Sequence, residues 1–128
     1  MSDKVEITYG VPQGSILGPL LFLLYINDIQ NCSDKLNFYL FADDTNILYA
    51  DKNLSVLEQT VNTELHKLYN WLTSNKLTLN IKKSNFVIFR PYQKKLTYKP
   101  NIRIFDNVNN KNIPLECKKN ILSRHCNR

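Results

Sequence analysis

Val5, Ile7 and Tyr9 alternate with polar or charged neighbours, which predicts a short strand leading into a turn. Leu20 to Ile26 is apolar at every position. Pro19 suits the first turn of a helix, where its missing N–H costs nothing, so a helix is expected over Leu20–Asn27, packed on several sides. Asn31–Lys35 reads as a polar loop. Leu36–Leu40 and Asn46–Ala50 are short aromatic and aliphatic runs flanking Ala42-Asp43-Asp44-Thr45, and the simplest arrangement is a β-hairpin with the acids at its tip. Ser55-Val56-Leu57-Glu58 has capping-box spacing, with Leu54 placed as a hydrophobic staple. Leu54, Leu57, Val61, Leu65, Leu68 and Leu72 then recur at intervals of three and four, predicting an amphipathic helix over Ser55–Ser74 that lies on a sheet. His66 sits one place past that stripe and reads as a surface residue.

Downstream, Asn85–Phe89 is a strand candidate and Pro91–Pro100 a basic loop. Ile102 and Ile104 are expected to pair with Ile113 and Leu115 across the asparagine-rich turn Asp106–Asn112. Lys118–Arg128 shows no period and is expected to fray. The pattern therefore predicts a small α+β domain, one antiparallel sheet carrying the acidic hairpin and two helices on one face.

With 128 residues and 43% of them hydrophobic, the chain has the composition for a single core. Its net charge of +6 favours a polyanionic partner, nucleic acid or an acidic membrane surface, and the excess gathers in residues 82–119. Lys82-Lys83, Lys94-Lys95 and Lys118-Lys119 are doublets rather than tracts, so an ordinary solvated face fits them as well. Cys32, Cys117 and Cys126 lack paired spacing, which argues against a disulfide framework and for a reducing, intracellular compartment, nuclear or cytoplasmic. Cys117, His125 and Cys126 match no structural-zinc spacing and have no evident fourth ligand. The polar N-terminus does not resemble a signal peptide, and the apolar run Ile16–Ile26 is shorter than the roughly 20 residues a bilayer requires. No membrane role is expected.

All three glycines lie in Gly10-Val11-Pro12-Gln13-Gly14-Ser15-Ile16-Leu17-Gly18-Pro19. Such a turn lets backbone approach a ligand closely, and N–H groups at the start of the following helix favour phosphate. The spacing is neither the dinucleotide fingerprint nor the P-loop, and by itself equally describes a tight strand-to-helix turn. Asp43-Asp44 offers the hard oxygen ligands that a divalent cation needs, although two acids in a turn are commonly just a polar turn. A two-metal phosphoryl-transfer site needs at least one further carboxylate from another segment.

Taken in order, these residues resemble a family. Gly10-Val11-Pro12-Gln13-Gly14-Ser15, then Leu17-Gly18-Pro19-Leu20-Leu21-Phe22 and Tyr25-Ile26-Asn27-Asp28, are similar to the segment after the first catalytic motif of reverse transcriptases from retrotransposons without long terminal repeats, the LINE- or jockey-like elements. Phe41-Ala42-Asp43-Asp44 resembles their catalytic Asp-Asp motif, and Trp71 with Leu77-Thr78-Leu79-Asn80 and Lys83-Ser84 resembles the next motif. The resemblance covers residues 1–119 as part of a polymerase palm and leaves 120–128 as an unmatched, disordered tail.

The resemblance implies RNA-directed DNA polymerase activity, with Mg²⁺ or Mn²⁺ on Asp43 and Asp44. It also implies an RNA template, a DNA primer and deoxynucleoside triphosphates. Gly10, Pro12, Gln13, Gly14, Ser15, Phe41 and Ala42 would line the substrate site, and Lys83 would stand near the leaving pyrophosphate. The family's first catalytic aspartate lies upstream of the glycine motif, and Asp3 is too close to Gly10 to match it. The chain is thus expected to be inactive alone and to require the upstream part of the polymerase as a partner. The alternative is a non-catalytic relic, inert or weakly nucleic-acid-binding. Ile121–Arg128 also departs from the Leu-Gly primer-grip strand the family carries there.

Overall fold

The computed structural model describes residues 14–107 and 109–123. The expected strand at Val5–Tyr9 and the residues His125 and Cys126 lie outside them. Helix α1 spans Leu17–Ile26 and tightens into a 3₁₀ helix over Asn27–Cys32. Strands β1 (Asn37–Phe41) and β2 (Asp44–Leu48) follow, then helix α2 (Leu54–Ser74), β3 (Asn85–Pro91), β4 (Arg103–Asp106), β5 (Lys111–Pro114) and β6 (Glu116–Ser123). The chain is α+β, as the pattern implied.

α1 begins three residues before the expected start, so that Gly18-Pro19 falls in its first turn. The Leu17 amide donates to Ser15 Oγ at 3.2 Å, which satisfies one of the orphan N–H groups there. Being apolar all round, α1 has no single face to bury. Ile26 is its buried residue, while Leu17 and Leu20 through Tyr25 stay exposed, contrary to the expectation of packing on several sides.

α2 is capped by Asn53 rather than by the expected Ser55 box. Asn53 Oδ1 accepts from the Ser55 and Val56 amides at 2.9 and 3.5 Å, and Asp51 Oδ1 fixes the Asn53 amide at 2.7 Å. An amide oxygen at the preceding turn outcompetes the serine hydroxyl, so Leu54 and Ser55 fall inside the helix. At the other end Lys76 adopts a left-handed φ of 56°, and the Leu77 amide returns to the Leu72 carbonyl at 2.8 Å.

The core forms where the α2 stripe meets its neighbours. Leu65, Leu68 and Leu72 pack with Ile26, Ile29, Ile102 and Ile104, and Phe38, Leu40, Ile47, Trp71 and Leu115 close around them. β4 and β5 pair antiparallel with Ile104 opposite Ile113, and the Leu115 amide donates to the Ile102 carbonyl at 2.8 Å, as the alternation predicts.

Two features differ from expectation. The described strands form three two-stranded ladders rather than one sheet. β6 pairs parallel with β3, with a bulge between Phe86 and Val87, so the chain from Lys118 to Ser123 is a strand rather than frayed. Backbone ladders are satisfied by any extended partner, so a segment without side-chain period still becomes a strand. Among the described residues no helix is long and apolar enough to cross a membrane.

Candidate active site

The acid pair sits where its neighbours suggested. β1 and β2 pair antiparallel from Asn37 opposite Leu48 to Phe41 opposite Asp44, leaving Ala42-Asp43 as a two-residue turn. Ala42 takes a φ of 52°, a left-handed conformation that costs an alanine roughly 1 kcal/mol or more. The ladder holds that strain in place. Directly opposite residues share a face, so Asn37, Tyr39 and Phe41 present themselves together with Asp44, Asn46 and Leu48. This outer face is solvated, with Phe41 79% exposed. The inner face, Phe38, Leu40 and Ile47, packs against the buried cluster that Ile26 and Ile29 share with the α2 leucines. Asp43 is in the turn and Asp44 closes the ladder, both exposed, so each is open to a ligand from solvent.

A polar staple fixes the approach to this hairpin, and the sequence pattern alone did not single it out. Glu64 on α2 is only 2% exposed. Its Oε2 accepts from Ser33 Oγ at 2.6 Å and its Oε1 from Lys67 Nζ at 2.9 Å. Ser33 Oγ in turn accepts from the Lys35 and Leu36 amides at 3.2 and 3.1 Å, which sets the turn from the 3₁₀ helix into β1. The Ser33 hydrogen bond holds the Glu64 carboxyl below the ordinary carboxylate range against the opposing effect of burial, and Lys67 adds to it. The Cys32 thiol beside it is pushed up by burial. The available signal was positional: Glu64 lies three residues after Val61 and one before Leu65, on the apolar stripe.

The remaining site residues are dispersed. Gly14 has a φ of +84° with open space around a hypothetical Cβ, and Ser15 Oγ accepts from the Leu17 amide at the start of α1. Gly10, Pro12 and Gln13 lie outside the described residues. Lys83 is exposed in the turn before β3, its amide donating to the Asn80 carbonyl at 3.1 Å. Among the described residues, no hydrogen bond or ion pair joins Lys83 to Asp43 or Asp44, and no group of three His, Cys, Asp or Glu side chains gathers to hold a metal. The hairpin therefore brings Phe41, Ala42, Asp43 and Asp44 together, and leaves Lys83 on a separate turn.

Residues 2–113 match the family described as reverse transcriptase (RNA-dependent DNA polymerase). The chain is 30% identical over 93 residues to the probable RNA-directed DNA polymerase from transposon X-element of Drosophila melanogaster, a match covering 70% of this chain and 10% of that protein. It is 28% identical over 102 residues to the retrovirus-related Pol polyprotein from type-1 retrotransposable element R1 2 of Nasonia vitripennis, covering 78% of this chain and 24% of that protein. The chain thus spans a small part of the length of these curated relatives. No solved structure matches it. An acidic hairpin on an α+β frame, a family match over most of the chain and retrotransposon relatives converge: the chain belongs to the reverse transcriptase family, in the branch of retrotransposons without long terminal repeats.

Proposed function

We propose that this chain supplies the acidic hairpin of an RNA-directed DNA polymerase that extends a DNA primer on an RNA template, consuming deoxynucleoside triphosphates. The observation that carries this reading is the pair Asp43-Asp44, exposed at a tight turn of a hairpin whose inner face packs against the core. Carboxylate oxygens on a rigid ladder suit Mg²⁺ or Mn²⁺, which would supply charge neutralisation at the phosphates. Asp43 and Asp44 would hold that ion, and Phe41 and Ala42 beside them would bear on the primer end or nucleotide. Gly14 and Ser15, with Gly10, Pro12 and Gln13, would line the substrate path. Lys83, in the turn before β3, would serve the leaving pyrophosphate.

A two-metal site needs a further carboxylate beside the pair, and in this reading another segment of the polymerase supplies it. Such a polymerase would work inside the cell, where its nucleotides are. Primer extension on an RNA template with Mg²⁺ tests the reading. The chain alone is expected to be silent, and addition of the segment carrying the upstream aspartate is expected to restore extension, with Asp43→Asn abolishing it. Continued silence of the mixture would favour the non-catalytic relic.

A further inference from the structure

A shallow cleft of about 320 Å³ lies between α2 and the β4–β5 ladder, and it contains no residue of the acidic hairpin. Asn62, Thr63 and His66 line it from α2, Arg103 and Phe105 from β4, and Asn112 from β5. That volume is at the small end of ligand sites, which begin near roughly 300 Å³.

The cleft has a rigid frame. Asn62 uses both ends of its amide on the strand beside it: Nδ2 donates to the Asn101 carbonyl at 3.0 Å, and Oδ1 accepts from the Arg103 amide at 2.8 Å. The His66 and Phe105 rings lie 5.8 Å apart, inclined at 60°, and form an aromatic corner. Phe105 stands opposite Asn112 in the ladder, so the Asn112 amide shares its face.

Charge and hydrogen-bonding capacity remain available there. No acid lines the cleft, and the Arg103 guanidinium has no carboxylate partner among the described residues. The acids nearest in sequence are committed elsewhere: Glu64 to Ser33 and Lys67, and Asp106 to Tyr69 and Asn109. A cation, two aromatic rings and an amide around one small cleft match a phosphate, a base face and a base edge. An acidic peptide would engage the guanidinium but leave the aromatic corner unused.

We propose that this cleft is an ancillary site for one nucleotide of single-stranded nucleic acid, the base stacked in the His66–Phe105 corner and its phosphate on Arg103. The site rests on the polymerase reading only in that such an enzyme meets single strands. It tethers template away from the acidic hairpin.

The test titrates the ¹⁵N-labelled chain carrying Asp43→Asn with a uridine oligoribonucleotide of roughly 8 nucleotides. Binding is read without catalysis, so its failure leaves the polymerase reading standing, and silence in primer extension leaves this one standing. Shifts are expected in the amides of Asn62, Thr63, His66 and Asn112. His66→Ala, at an exposed helix position, is expected to weaken binding about five-fold or more, and Arg103→Ala similarly. Arg103→Lys, which keeps the charge, is expected to bind better than Arg103→Ala and serves if the alanine variant fails to fold. The proposal is overturned by shifts confined to residues 82–99, by unchanged affinity in His66→Ala, or by an oligoglutamate peptide shifting the same amides equally.

Discussion

α1 and α2 both follow from runs of leucine, yet they relate to the rest of the molecule in opposite ways. α2 spaces its apolar residues at three and four, and buries Leu65, Leu68 and Leu72 beneath a polar outer face. α1 is apolar on every side and buries Ile26, leaving Leu24 66% exposed. Each exposed leucine forgoes about 1.5–3 kcal/mol of transfer free energy that burial would provide. Periodicity gives α2 one face to bury, whereas uniform hydrophobicity leaves most of α1 exposed among the described residues. The acidic hairpin lies beside the 3₁₀ turn that follows α1 and closes over the cluster α2 helps to build.

Substitutions sharpen this contrast. Leu68→Ala, at a residue 5% exposed, is expected to cost about 2–5 kcal/mol in urea unfolding, and Leu24→Ala less than about 0.5 kcal/mol. Equal losses would erase the distinction between the helices. Ser33→Ala removes the donor to buried Glu64 and the acceptor for two amides, and is expected to cost about 1–3 kcal/mol and to perturb the amides of β1. If β1 amides stay put, the staple does not position the hairpin.

The same staple has a pH signature. Because the Glu64 carboxyl is held below its ordinary value in the folded chain, its contribution is present above the usual glutamate range, near about 4.3, and is lost as pH falls through the folded value. Glu64→Gln is expected to flatten that acid limb of the stability profile, measured by thermal melts. An unchanged limb would assign acid sensitivity to other carboxylates. Smallest of all, Asn53→Ala is expected to cost about 1 kcal/mol, while Ser55→Ala stays near neutral. The reverse order would restore the capping box to Ser55.

Legibility in the sequence followed the same divide. The α2 stripe, the hairpin around the acids and the Ile104–Ile113 pairing were visible because side-chain period reports directly on one buried face. The parallel β3–β6 ladder was not visible, since pairing between distant segments leaves no period. Nor was the cap at Asn53, where two polar residues two positions apart competed for the same helix end. The pattern placed Asp43 and Asp44 at the hairpin turn but gave no means of judging where Lys83 stands relative to them. Glu64 shows what a sharper reading would catch: a lone acid on an apolar stripe needs a partner, and Ser33 provides it.

The most direct test of the hairpin as an ion-holding element is paramagnetic broadening of the ¹⁵N-labelled chain by dilute Mn²⁺. Resonances of Ala42 through Asn46 are expected to broaden first, and Asp43→Asn with Asp44→Asn to abolish the effect while leaving the spectrum folded. Broadening centred on other residues, or persisting in the double variant, would contradict the assignment of the metal to these two carboxylates.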